Sequence, residues 1–331
     1  MKNSIASVVC SLLSTAVLCA LPAGTETPRS RPDEAASAQT DDGQPVFRTG
    51  TSRVVLHATV LAGKSNVVDD LPREAFKVLE DGVEQDIEFF ASQEVPVAAG
   101  LIIDNSSSMV PRQDMVRAGV TSFAASSRDS DELFTILFNE HVRFGLPGGV
   151  AFTPSRPQLL ATLASRGPGG MTAMHDAVIE GLSHLSIARN QKRAIVVLSD
   201  GDDNASAQSQ SNMLYRASQS NAVVYTIWTG NLSPDGGNPK LLRRLAERSG
   251  GIAFAPRSEN EVVKAFSEIA ANLRRGYTLG YAPKNSANDG TFRKVSVVAR
   301  MPGRRLTVRC RDGYTALDDR IDRAKADGQT K

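Results

Sequence analysis

The apolar and polar positions of this chain fall into three successive rhythms. The first is short and β-like: Val54-Val55-Leu56-His57-Ala58-Thr59-Val60-Leu61 predicts a strand. Phe76 to Phe90 predicts a hairpin about Asp81-Gly82, with Val83, Ile87 and Phe89 on one apolar face of its second strand. From Val97 the pattern alternates between apolar runs and helical spacing. Val97 to Ile103, Leu133 to Phe138, Val142 to Phe144, Ala194 to Ser199, Val223 to Trp228 and Ile252 to Phe254 predict strands. Gln113 to Ser126 carries Met115, Val116, Val120 and Phe123 at helical spacing, and Thr172 to Ile187 carries Met174, Ala177, Val178, Leu182 and Leu185. Further helices are predicted about Gln208 to Ser218, Lys240 to Arg248 and Glu259 to Arg274. After Arg275 strand patterns return at Tyr277 to Tyr281, Lys294 to Arg300 and Leu306 to Cys310, with a turn at Pro302-Gly303.

Near-continuous apolar strands separated by helices are covered on both faces, which predicts an α/β, doubly wound, mostly parallel sheet over residues 96–275. The flanks, residues 46–95 and 276–316, hold too few strands to bury a core alone. Paired, they predict one small β-sandwich, with the α/β domain inserted between its halves.

Composition adds class and compartment. The chain has 331 residues, 41% hydrophobic and 22% charged, an ordinary globular balance with length for about two domains. A net charge of +2 with interspersed signs gives no footprint for nucleic acid. The Arg-rich stretch from Arg300 to Arg311 alternates with apolar residues and reads as an outward strand face. Lys2, the uncharged run from Ile5 to Leu21 and Pro22-Ala23-Gly24 predict a signal peptide over residues 1–23. The mature protein is then exported, to a periplasmic, cell-surface or extracellular location, with no membrane span. Leu18 and Leu21 stand where cleavage after Ala20 or Ala23 prefers a small residue, so an uncleaved N-terminal membrane anchor is the alternative. Polar residues 24–45 predict a disordered linker, and residues 317–331 a charged tail. Of the three cysteines, Cys10 and Cys19 lie in the signal, so cleavage leaves Cys310 alone and then excludes an intrachain disulfide; sharing a strand face with Leu306 and Val308, it reads as a buried, inert thiol. None of these features fixes the oligomeric state.

The chemistry begins where the first buried strand ends. Asp104-Asn105-Ser106-Ser107-Ser108 follows directly on Val97 to Ile103, so a carboxylate and two hydroxyls leave the strand at alternate positions. Gly169-Gly170-Met171-Thr172 opens a helix, and Asp200 ends the apolar run from Ala194 to Ser199. In an open parallel sheet the carboxyl ends of central strands gather at one crevice, so Asp104, Ser106, Ser108, Thr172 and Asp200 are expected to converge. Two carboxylates and three hydroxyls suit a hard divalent cation, Mg²⁺ or Mn²⁺, with Ca²⁺ compatible. Helix capping by Asp104 and the serines accounts for neither Thr172 nor Asp200. Asp202-Asp203-Asn204 lacks the spacing of an EF-hand loop and reads as a solvated turn; Asp176 reads equally as support for the Thr172 loop or as a helix-surface acid. A hydrolase using Ser106, His175 and Asp200 as nucleophile, base and orienting acid is the alternative, without a G-x-S-x-G elbow around Ser106. An aspartyl phosphatase would need a carboxylate where Ser106 stands. His57, His141 and His184 are isolated, which leaves zinc without support.

The pattern D-x-S-x-S at Asp104, Ser106 and Ser108, the Thr172 after glycines and the strand-ending Asp200-Gly201 resemble the metal-ion-dependent adhesion site of von Willebrand factor type A domains. The flanks resemble a bacterial secreted subgroup of that family at Phe76-Lys77-Val78-Leu79-Glu80-Asp81-Gly82, at Tyr277-Thr278-Leu279-Gly280-Tyr281 and at Arg311-Asp312-Gly313-Tyr314, so the resemblance covers residues 46–316. It implies a non-enzymatic protein-binding module of adhesion type, whose bound Mg²⁺ takes an Asp or Glu carboxylate from a partner protein. One departure is Ser107, where the family usually has Gly. A left-handed φ there would cost on the order of 1 kcal/mol with a Cβ present.

Overall fold

The computed structural model describes residues 53–63, 66–92, 95–163, 167–230 and 237–316. The predicted signal peptide, linker and charged tail lie outside the described residues. The first flank contains β1 (Val54–Ala62), β2 (Asn66–Val67), β3 (Phe76–Glu80), β4 (Val83–Gln85) and β5 (Phe89–Ala91). Asp81 and Gly82 join β3 to β4 with φ of 49° and 84°, the two positive values a type I′ turn requires. The predicted second hairpin strand does not run on to Phe90. It stops at Gln85, the chain turns inward at the buried Ile87, and β5 joins a different sheet. Packing accounts for the break: the ring of Phe90 lies 5.5 Å from that of Phe76, inside the core, whereas Val83 on the turn is 55% exposed.

The middle segment follows the alternation closely. It comprises β6 (Val97–Asp104), α1 (Gln113–Ser126), β7 (Glu132–Phe138), β8 (Val142–Phe144), α2 (Arg156–Thr162), α3 (Met174–His184), β9 (Lys192–Ser199), α4 (Gln210–Gln219), β10 (Ala222–Trp228), α5 (Pro239–Ser249), β11 (Ala253–Phe254) and α6 (Glu259–Arg275). Local chemistry sets the helix ends. Ser209, Asn238 and Ser258 accept main-chain N–H groups at the starts of α4, α5 and α6, Pro239 opens α5, and Gly250 closes it with φ of 83°. α2 has no counterpart among the predicted elements.

These strands form one sheet in the order β11-β10-β9-β6-β7-β8, parallel except for β8. On one face α1 and α6 pack Val116, Val120, Phe123, Phe266 and Ile269 over Leu101, Ile103 and Val196. On the other, α3, α4 and α5 pack Met174, Val178, Met213 and Leu245 over Ile102, Val197 and Val224. Every residue of β6 and β7 is buried, as expected for strands covered on both faces. The winding reverses at β6, whose neighbours β7 and β9 lead to opposite edges of the sheet.

The second flank adds β12 (Tyr277–Tyr281), β13 (Phe292–Ala299), β14 (Leu306–Arg309) and β15 (Gly313–Thr315). Strands of both flanks mix in two antiparallel sheets. One has the order β14-β1-β12-β5 with β2 beside β1, and the other the order β15-β13-β3-β4. A single buried cluster, including Leu56, Val60, Phe76, Val78, Leu279, Val295 and Val297, draws on both. Glu80, 3% exposed, accepts the hydroxyls of Tyr281 at 2.8 Å and Tyr314 at 2.9 Å, joining the flanks through one carboxylate. Arg311 departs from the outward face expected of it, being 7% exposed beyond the end of β14.

Because β1 pairs through Val54–Ala58 with β12 and through Thr59–Ala62 with β14, and meets β2 of its own flank only at Leu61 and Ala62, removal of residues 276–316 should strip most of its amides of partners. Hydrogen exchange on that truncated protein is expected to show loss of protection from Val54 to Thr59, with protection in β6 and β9 retained. Protection persisting in β1 would contradict the dependence.

Candidate metal centre

Asp104 is the last residue of β6, at the point where the sheet's winding reverses, and its side chain is 0% exposed. Oδ1 accepts the main-chain N–H of Ser106 at 2.9 Å and its hydroxyl at 2.5 Å, while Oδ2 accepts the hydroxyl of Ser199, on the adjacent β9, at 2.6 Å. Burial is the largest influence on this carboxyl and pushes its pKa up to about 6; the Ser106 and Ser199 hydrogen bonds oppose it, and the nearby Asp200 charge adds to it.

Ser106 is 1% exposed, and its Oγ lies 3.2 Å from Oγ of the exposed Ser108. Neighbouring ligands on an octahedral Mg²⁺, each ~2.1 Å from the ion, stand roughly 3 Å apart, so the two hydroxyls have a suitable spacing. The Ser106 side chain makes no capping bond to the short helix Ser107–Arg112 that follows, which leaves the capping alternative without its hydrogen bond. Ser107 carries no penalty of the kind feared: among the described non-glycine residues only Asp81 has a positive φ.

Asp200, 7% exposed, is the first residue beyond β9. Its Oδ1 accepts the N–H of Asp202 at 3.1 Å and its carbonyl that of Asn238 at 2.8 Å. Gly237 makes that approach possible, because with φ of 98° a Cβ there would sit 2.1 Å from the Asp200 carbonyl oxygen.

Thr172, 4% exposed, lies on a loop stitched to the one that carries the serines. Gly169 N–H donates to the Asn105 carbonyl at 2.8 Å, and Ser107 N–H to the Gly170 carbonyl at 3.2 Å. In the turn Asp202-Asp203-Asn204, Asp202 and Asn204 are exposed as expected, but the turn also reaches back to the Thr172 loop. Asn204 Oδ1 accepts the N–H of Thr172 at 2.8 Å, and the N–H groups of Asn204 and Ala205 return to the Thr172 carbonyl at 2.9 and 3.0 Å. Asp203 Oδ2 accepts the N–H of His175 at 2.8 Å, near the start of α3. Asp176 does not hold the Thr172 loop; its carboxylate takes the N–H groups of Ala207 and Gln208 at 2.8 and 2.9 Å. Ser199, Asp203 and Asn204 thus support the crevice through hydrogen bonds that the sequence reading missed. Ser199 had a signal, since a hydroxyl ending a buried apolar run needs a partner.

The five expected residues thus stand in three relations. Asp104, Ser106 and Ser108 are joined by hydrogen bonds, Asp200 acts on Asp104 through charge, and Thr172 is positioned two residues beyond the Gly170 contact. Among the described residues no three of His, Cys, Asp and Glu gather as a metal group, so a cation here would depend on hydroxyls as well as on the two carboxylates. That donor set fits a hard ion and does not fit zinc.

The hydrolase arrangement is not assembled. Ser106 Oγ is committed to Asp104, and His175 Nδ1 faces the Gln208 carbonyl at 3.2 Å and Asp203 at 3.4 Å. His175 Nε2 is buried without a hydrogen-bond partner. His57 contacts Thr278, and His184 sits among Phe134, Phe144 and Phe152, far from any shared centre. The Cys310 thiol packs against the flank core, and burial raises its pKa to about 11, against thiolate chemistry.

A pH dependence follows from Asp104. Its folded pKa of about 6 exceeds the ordinary 3.8, so the folded state holds this proton more tightly than the unfolded one. In the absence of metal, stability is then fully present below pH ~4 and falls as pH rises to ~6, by on the order of 3 kcal/mol. Denaturant titrations of wild type and Asp104→Asn in chelator should diverge across this window, the variant gaining relative stability towards pH 6. A constant difference would mean that Asp104 is not a buried, reluctant acid.

No protein-family model matches the chain. Inter-alpha-trypsin inhibitor heavy chain H3 of Homo sapiens is 26% identical over 226 residues, covering 62% of this chain and 25% of that protein, and the Pongo abelii protein of the same name gives the same figures. The chain thus spans about a quarter of the length of the curated relatives it matches. Among solved structures, von Willebrand factor type A from Catenulispora acidiphila is 15% identical, with a TM-score of 0.48 over 83% of this chain and 76% of that one. The vWF domain of the type V pili tip protein Mfa5 from Porphyromonas gingivalis is 12% identical, with a TM-score of 0.47 over 54% and 95%. An aerotolerance-related membrane protein from Bacteroides fragilis is 18% identical, with a TM-score of 0.44 over 53% and 98%. Among the described residues no helix is long and apolar enough to cross a membrane. The chain is similar to von Willebrand factor type A domains, the family that its Asp104, Thr172 and Asp200 motif resembles.

Proposed function

We propose that this chain is an exported, non-enzymatic protein-binding module that captures an acidic side chain of a partner protein through a divalent cation at the crevice between β6 and β9. Asp104, Ser106, Ser108, Thr172 and Asp200 would hold the ion, Mg²⁺ before Mn²⁺ or Ca²⁺. The α/β domain, residues 96–275, would ride on a single β-sandwich made from residues 46–95 and 276–316.

The supporting observation is the state of Asp104. A carboxylate with 0% exposure beside a second acid carries its charge reluctantly even with its oxygens hydrogen-bonded, and a neutralising cation would relieve that cost. At neutral pH the proton is scarce, and oxygen-only donors suit a hard cation in its place. Neutral hydroxyls leave such an ion electrophilic, so that a bound Mg²⁺ supplies a position for an outside carboxylate oxygen. The chain's own residues do the rest. Ser106 and Ser199 fix the carboxylate of Asp104, Asn204 fixes the main chain at Thr172, and Gly237 lets the segment before α5 close over Asp200.

Mg²⁺ at about 100 times its Kd is expected to raise the melting temperature of the wild type by roughly 5–10 °C, and Asp104→Ala should abolish the rise. Thr172→Ala should keep the fold and most of the ion's stabilisation. Protein capture from the exported proteome should require Mg²⁺, vanish in chelator and weaken at least tenfold in Thr172→Ala. Equal melting shifts in wild type and Asp104→Ala, or undiminished capture in chelator, would remove this reading.

A further inference from the structure

A second site lies away from the crevice, where the turn between α4 and β10 meets the β15 sheet. There a cleft of about 380 Å³ is lined by Gln219, Asn221, Asn285, Ser286, Arg311 and Tyr314, among others. Its size falls within the range of small-molecule sites, and amides and hydroxyls share its walls with apolar groups such as Val54 and Pro283. We propose that this cleft binds a small hydrophilic oxyanion, a carboxylate or phosphate on a hydroxyl-bearing body, with the Arg311 guanidinium as its counter-charge.

Arg311 is 7% exposed, yet it makes no ion pair with any described carboxylate. Nη1 donates to Asn221 Oδ1 at a long 3.3 Å, the guanidinium stands 5.6 Å from the Tyr314 ring centroid, and Nε is buried without a partner. The surrounding acids are engaged elsewhere. Glu80 gives Oε2 to the Tyr281 and Tyr314 hydroxyls and faces Arg293 at 3.9 Å with Oε1. Asp289 takes Arg293 Nη2 at 3.1 Å, Asp312 pairs with Arg248 at 3.6 Å, and Glu88 pairs with Arg53 at 3.4 Å. A buried charge is ordinarily paired, and this one has an accessible cleft in place of a carboxylate. The planar guanidinium fork suits carboxylate and phosphate oxygens, and the amide and hydroxyl walls suit the hydroxyls of the ligand body.

The wall opposite is built in advance. Arg293, 2% exposed, donates to the carbonyls of Asn285 at 3.5 Å and Ala287 at 3.0 Å, which fixes the loop carrying Asn285 and Ser286. With its amide oriented to match its neighbours, oxygen toward donors and nitrogen toward the acceptor, Gln219 holds Thr315 beside the cleft through its main chain and hydroxyl. The lining therefore needs no folding on binding, which limits the entropic cost of association.

The test is a melting series on the full chain in chelator, with glucuronate, glucose 6-phosphate and neutral glucose as probes. At least one of the two anions should raise the melting temperature by about 3 °C or more, with glucose inert; the anion that acts identifies carboxylate or phosphate as the source. Arg311→Met should lose the response. Should that variant fail to fold, Asn221→Asp supplies an acid 3.3 Å from Nη1 and should raise the melting temperature without ligand while abolishing the response. Asp104→Ala should respond like the wild type, which separates this site from the metal crevice. No shift with either anion, an equal shift with glucose, or a response surviving in Asn221→Asp would overturn the proposal.

Discussion

The carboxylate of Asp104 is the constraint around which the α/β part of this protein is arranged. A fully buried acid is expensive unless its oxygens are matched, and here hydroxyls from β9 and from the turn after β6 match both. Matching them fixes the relative height of two central strands and the path of the Ser106 turn. The Gly169–Thr172 loop then docks on that turn, and the 202–206 loop docks on Thr172. Each loop is positioned by main-chain bonds to the one before it, a chain of dependence that starts at a single side chain.

A second buried acid plays the corresponding part among the flanks. Glu80 ends β3, from the first flank, yet its hydrogen-bonding partners Tyr281 and Tyr314 come from the second. The aromatic bodies of these tyrosines fill space while their hydroxyls satisfy the carboxylate, so polarity and packing are served by the same residues. Glu80 thus makes the pairing of the flanks specific as well as hydrophobic.

The ends of the strands were legible because their signals are local. Eight consecutive buried residues ending in Asp104, and the apolar run ending in Ser199-Asp200, are readable from hydropathy alone. What escaped depends on contacts between distant segments. Residues 202–204 look like any acidic turn until Thr172 is seen to lean on Asn204. α2 spans only seven residues, with Pro157 in its first turn and a short apolar pair, too little periodicity to register. Val83, Ile87 and Phe89 share a parity, but parity assumes an unbroken strand, and this one crosses between sheets after Gln85. Arg311 broke the outward pattern for the same reason, since β14 has ended before it.

The pairing of β1 with β12 has a kinetic side. Val54 meets Tyr281, and Ala58 meets Tyr277, across more than two hundred intervening residues. Closing a loop of that length is entropically unfavourable until the loop has collapsed into its own compact unit. Loop-closure entropy therefore favours a collapsed middle segment before β1 meets β12, with only β2 available to β1 locally. A compact middle segment brings Ala91 and Thr278, at its two ends, to neighbouring positions in one sheet. The last strands of the chain complete the first, so pairing of the flanks and compaction of everything between them are coupled.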